Sequence, residues 1–152
     1  MAGRWYMPRY PDNLVGAPGN YSLGHQCKKT MRGDAPLREQ LTSIVEGCED
    51  PNFNGTFSTD STFQALFAYD KSDGWLFTYD SASTLRFKLC ETMVNVTDLH
   101  YGIVADDIQY EDFDDVCGYG SYHRLRVLKK VAAFLEGKYT SGSQEDACKA
   151  VT

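Results

Sequence analysis

The segment from Tyr101 to Leu125 constrains this chain more than any other part. Tyr101-Gly-Ile-Val-Ala-Asp-Asp-Ile-Gln-Tyr-Glu-Asp-Phe113 passes from an apolar run into a cluster of acids, and Cys117-Gly-Tyr-Gly-Ser-Tyr-His-Arg-Leu125 follows. The apolar residues predict a buried strand near 100–105, and the acids predict a loop over 106–115. The glycines then mark a turn, and Ser121 can cap a helix. That helix carries Leu125, Leu128, Val131, Ala132 and Leu135 and is closed by Gly137. A polar tail, 137–152, is expected to be loose.

A chain of 152 residues suits one domain. It is too short for a complete (β/α)8 barrel, which takes about 250 residues. Hydrophobic residues make up 42% and aromatics 13%, which indicates a packed globule. The net charge of −6 argues against a nucleic-acid partner, which favours a basic face. The basic cluster His123, Arg124, Arg126, Lys129 and Lys130 falls at helical spacing and reads as a solvated helix face. No apolar run of about twenty residues offers a membrane span.

Five cysteines stand at 27, 48, 90, 117 and 148, with no C-x-x-C pair and no clustered histidines, so no metal site is expected. Three glycosylation sequons begin at Asn20, Asn54 and Asn95. Together with the scattered cysteines they favour an oxidising, secretory setting. Met1-Ala-Gly-Arg-Trp-Tyr6 is no signal peptide. The expectation is therefore a secreted product whose signal lies upstream, and the odd cysteine count points the same way.

Elsewhere the pattern alternates. Residues 1–10 read as a strand exit and Pro11–Gly24 as loop. Asp34 with Pro36 opens a helix bearing Leu37, Leu41, Ile44 and Val45, ended by Gly47. Cys48–Gly55 is a turn-rich connector. Thr62–Tyr69 and Gly74–Tyr79 flank Asp70-Lys-Ser-Asp73, the signature of a β-hairpin. Asp80 or Ser81 caps a further helix with Ala82, Leu85, Leu89 and Met93 on one face.

Six carboxylates crowd the acidic loop: Asp106, Asp107, Glu111, Asp112, Asp114 and Asp115. A general acid/base pair and a calcium loop are the functional readings. The ligand alternation and glycine bend of a calcium loop are absent. The plainer reading is a solvated loop in which Asp112 caps locally. His25, His100 and His123 are widely separated and lack a nucleophile motif, so no triad is supported. Trp5, Tyr6, Tyr10, Trp75, Tyr79 and Tyr101 can either stack on sugar rings or fill a core.

Five short motifs, in order over roughly residues 1–136, resemble the C-terminal part of glycoside hydrolase family 18, the chitinase and chitinase-like family. Ala2-Gly-Arg-Trp-Tyr6 is similar to the Y-G-R-x-F/Y end of the family's seventh strand, and Val15-Gly-Ala-Pro18 to the V-G-A-P after it. Residues 33–80 stand where the family carries an α+β insertion. Gly74-Trp75 with Tyr79-Asp80 and Lys88 resembles the entry to its seventh helix. Gly102–Phe113 resembles its eighth strand, G-x-M-x-W-x-x-D-x-D-D-F.

The resemblance implies an α/β fold: a partial (β/α)8 TIM-barrel segment at 1–136 with a small α+β insertion domain, then a flexible tail. It also implies sugar contact by Arg4, Trp5 and Tyr6. The departures bear on activity. Asp106 replaces the floor tryptophan, Gln109 replaces the first aspartate, Ala2 replaces the tyrosine of Y-G-R, and the acid motif D-x-x-D-x-D-x-E is nowhere in the chain. No catalytic residue and no cofactor is therefore expected. The implied product is a chitinase-like secreted segment, inactive alone, with weak affinity for chitin or N-acetylglucosamine polymers. The alternatives are a protein-interaction module that has lost sugar recognition, and a fragment of a longer active chitinase.

The resemblance also implies a disulfide. The family often ties its insertion helix to the loop after the eighth strand, which corresponds to Cys48 with Cys117. That link closes a loop of about 70 residues and contributes roughly 4 kcal/mol by chain entropy. Cys27 with Cys90 is the second choice, leaving Cys148 as a free or intermolecular thiol.

Overall fold

Trp75-Leu-Phe-Thr-Tyr79 is the strand around which the molecule assembles, because four of its five side chains are buried. The computed structural model describes residues 1–8, 27–29, 41–70, 74–96, 102–138 and 144–152. In chain order these form β1 (Gly3–Pro8), β2 (Cys27–Lys29), β3 (Leu41–Thr42), α1 (Ile44–Glu49), β4 (Ser58–Asp60), β5 (Ala65–Asp70), β6 (Trp75–Tyr79), α2 (Ala82–Asn95), α3 (His123–Lys138) and α4 (Glu145–Lys149). The sheet runs β2-β1-β6-β5-β4, with β3 also on β1, and every pairing is antiparallel.

The expected hairpin is present, with Asp70 opposite Trp75 and Leu66 opposite Tyr79. Gly74 closes its turn at φ +72°, donating to the Asp70 carbonyl at 2.8 Å. A positive φ at that position suits a residue without Cβ. On one face of the sheet Trp5, Phe53, Phe77 and Tyr79 pack with Ile44 of α1. Trp5 meets Phe53 edge-on at 4.9 Å and Phe77 at 4.6 Å between ring centroids. A second core joins Ala82 and Cys90 of α2, Val127 and Val131 of α3, and Cys148 of α4.

The partial barrel is not what forms. A barrel needs parallel strands joined by crossover helices. Here β6 has β1 on one edge and β5 on the other, both antiparallel, and no barrel-like repeat of strand, helix and parallel strand is seen among the described residues. The expected eighth strand is also missing. Residues 102–107 form no strand, and Val104 is 87% exposed, so the segment has neither a ladder nor a buried face to hold it.

Three smaller expectations are also corrected. Leu41 lies in β3 opposite Arg4 rather than on a helix face, and the helix begins only at Ile44, where the Ser43 hydroxyl accepts from Val45 N–H at 3.2 Å. The start expected at Asp34, and Leu37, lie outside the described residues. The tail is not loose throughout. Residues 145–149 form α4, joined to α2 through Cys90–Cys148. Cys90 therefore does not pair with Cys27, and Cys148 is not a spare thiol.

The other disulfide joins Cys48 to Cys117, with 5.4 Å between the Cα atoms. The two links span 69 and 58 residues, each contributing roughly 4 kcal/mol by chain entropy. Non-reducing peptide mapping is expected to recover 48–117 and 90–148 as linked pairs, and any peptide joining Cys90 to Cys27 contradicts the second.

Gly47 shows how α1 reaches the sheet. A Cβ there stands 2.7 Å from the Phe77 ring and 3.1 Å from that of Phe57. Gly47→Ala must push Phe77 off its packing against Trp5, and is expected to cost about 1–3 kcal/mol in chemical denaturation.

Candidate functional site

The acidic loop is built from the inside outward. Glu111 and Asp112 are 2% and 6% exposed, whereas Asp106, Asp114 and Asp115 lie open to solvent. Glu111 faces the first turn of α3. One carboxylate oxygen accepts from the Arg124 backbone N–H at 2.9 Å, and the other from its Nε at 2.6 Å. This is a helix cap supplied from outside the helix. The Arg124 Nη1 and Nη2 groups also donate to the carbonyls of Asp80 and Tyr110, both at 3.2 Å.

Asp112 is equally committed. Its two carboxylate oxygens accept from Val116 and Cys117 N–H, both at 2.9 Å, and its carbonyl accepts from Tyr122 N–H at 2.9 Å. The local capping read from the sequence is thus observed, and Ser121 is not the helix cap. Asp115 accepts from Gly120 N–H. Asp107, Asp115 and Tyr122 hold positive φ of 55°, 61° and 55°, conformations that cost L-residues energy and persist under such bonds. Among the described residues no group of three or more His, Cys, Asp or Glu could hold a metal ion.

Of the residues put forward for sugar contact, Arg4 and Tyr6 share one face of β1 by strand alternation. Trp5 points the other way into the core at 4% exposure, its indole N–H 3.3 Å from a Glu46 carboxylate oxygen. Trp75 and Tyr79 are core residues too. Tyr10, Tyr101, His25, His100 and the sequon residue Asn20 lie outside the described residues. Asn54 and Asn95 are both exposed, at a turn and at the last residue of α2.

Sequence reasoning passed over a cleft of about 420 Å³ where the sheet core meets the helices. Leu66 and Tyr79 line it from the sheet, Ser83 and Arg86 from α2, Tyr119 from the loop and His123 from α3. Tyr119 is 54% exposed, and its ring lies 5.9 Å from the His123 imidazole. Arg86 donates to the Val151 carbonyl at 2.7 Å, and Thr152 borders the opening. The signal was present in Gly118-Tyr-Gly120, an aromatic residue fixed between two turn glycines just before a helix.

Burial above all, helped by Tyr119 and opposed by Arg124, holds the Tyr79 phenol well above its ordinary pKa of 10.0. Because the folded-state value is raised, its contribution to stability is intact below pH 10 and is lost as the pH rises beyond that. Tm is expected to fall above pH 10, and Tyr79→Phe to flatten the fall.

No family model, curated protein or solved structure matches this chain. Among the described residues no helix is long and apolar enough to cross a membrane.

The Arg124–Glu111 pair gives the sharpest stability test. Removing one partner of a buried pair leaves an uncompensated charge. Glu111→Ala is expected to lose about 3–5 kcal/mol in urea denaturation. Glu111→Leu combined with Arg124→Met should lose much less.

Proposed function

We propose that this is a secreted chitinase-like module that binds N-acetylglucosamine polymers weakly and does not hydrolyse them. The observation that carries the reading is the use made of Glu111 and Asp112. They match the last two acids of the family's eighth-strand motif, yet every carboxylate oxygen of both accepts a bond from Arg124, Val116 or Cys117. Glycoside hydrolysis needs an acid positioned to protonate a leaving oxygen. Buried carboxylates held in this way serve as scaffold. The motif order along the chain, the 48–117 link and the hairpin at 65–79 support the chitinase-like assignment, without any barrel. Two disulfides fit an oxidising compartment.

A second reading, a secreted protein-docking module, is favoured by a different observation. Val104, Ile108, Phe113 and Val116 are 41–87% exposed within one acidic stretch. Apolar surface of that kind commonly marks interaction sites.

The test uses the oxidised, purified chain. On a fluorogenic chitobioside we expect no turnover above the blank. In a chitin pull-down we expect weak retention, released by soluble chitooligosaccharide. Turnover that disappears in a folded Glu111→Gln variant overturns the non-hydrolytic reading, and absence of any retention favours the docking module.

A further inference from the structure

A site for a sugar ring needs an apolar plane for the C–H face, polar groups around it for the hydroxyls, and enough enclosure to exclude water. The cleft beside Tyr119 supplies the first two, in a partly open hollow. Its volume of about 420 Å³ falls within the ~300–1,000 Å³ usual for small-ligand sites.

We propose that this cleft, rather than the Arg4–Tyr6 strand, is the saccharide subsite of the module. It takes one pyranose ring of an N-acetylglucosamine oligomer, stacked on Tyr119, with Ser83, Arg86 and His123 meeting its hydroxyl and acetamido groups. The inference rests on the functional reading above and locates it. Trp5, the aromatic residue expected to stack, is packed between Phe53 and Phe77 and offers no face. Tyr119 is more than half exposed, and its backbone is held on both sides. Cys117 is disulfide-bonded and donates its N–H to Asp112, while Gly120 donates to Asp115. A backbone held in place before the ligand arrives leaves only the Tyr119 side chain to be ordered on binding.

Two charged side chains at the cleft are engaged within the protein: Arg124 is paired with Glu111 at 2.5 Å, and both Asp112 carboxylate oxygens accept from backbone N–H groups. Arg86 uses one donor on the Val151 carbonyl and has five in all, so others remain to meet ligand oxygens. The Ser83 hydroxyl, shared with Ser81 at 2.8 Å, both donates and accepts. Thr152 lines the cleft, and the Val151 carbonyl holds Arg86 beside it.

Titration calorimetry with chitotetraose tests this. Wild type should bind, Tyr119→Ala should raise Kd about tenfold with Tm unchanged, and Tyr119→Phe should retain affinity. Ser83→Trp, placed on an exposed wall residue, should block binding. If chitotetraose does not bind wild type at millimolar concentration, the sugar-binding reading falls and the subsite with it. If it binds wild type and also binds Tyr119→Ala and Ser83→Trp unchanged, only the subsite falls. Loss on Tyr6→Ala would then place the contact on β1.

Discussion

Arg124 is the residue on which the two halves of the molecule depend. Buried at the start of α3, its backbone and guanidinium bond the Glu111 carboxylate, and the guanidinium also reaches the carbonyls of Tyr110 and Asp80. Asp80 ends the sheet and opens onto α2, so one side chain fastens the sheet, the acidic loop and the helix pair. A cation at a helix N-terminus opposes the helix dipole, and Glu111 reverses that locally. The net stability of such a buried pair is small, because desolvation offsets attraction. Its effect is on arrangement: with either partner missing, the other is a buried charge with nowhere to go.

The rest of the construction follows from having two modest cores instead of one large one. The sheet core is aromatic, with Phe77 seated against Trp5 and the Gly47 backbone. The helical core is aliphatic and closes around Cys90 and Cys148, both fully buried. Each core carries one disulfide: Cys48–Cys117 ties α1 to the loop, and Cys90–Cys148 ties α2 to α4. Surface-to-volume scaling leaves a chain of this size a limited apolar interior, which these links supplement by restricting the unfolded state.

What the sequence revealed depended on how local the signal was. The hairpin could be read because β-prone residues alternate on both sides of a turn that ends in Gly74. The start of α2 could be read because Ser81 caps it through Thr84 N–H at 3.2 Å. Leu41 is ambiguous in sequence, because Leu, Ile and Val at three- and four-residue spacing suit either a helix face or a strand end, and pairing with β1 decides the matter. The apolar run near 103 forms no strand, because strand propensity alone does not provide a sheet edge to pair with. Phe53, fully buried, sat in a stretch whose glycine and asparagines suggested only a connector. The resemblance supplied the pair Cys48 and Cys117 but misled on architecture, since short motifs carry order along the chain and not strand direction.

The acidic loop shows how one set of residues can suggest chemistry while performing construction. Six acids in a short loop invite a catalytic or metal-binding reading, and the first question is where each lone pair goes. Those of Glu111 and Asp112 go to Arg124 and to the backbone that bends toward α3. Asp115 holds the turn at Gly120. Each of these bonds fixes a piece of the chain between 111 and 124, the stretch that carries Tyr119 to the cleft. The carboxylates therefore act on architecture, by holding the backbone on either side of an exposed aromatic residue, and their lone pairs are spent on that task.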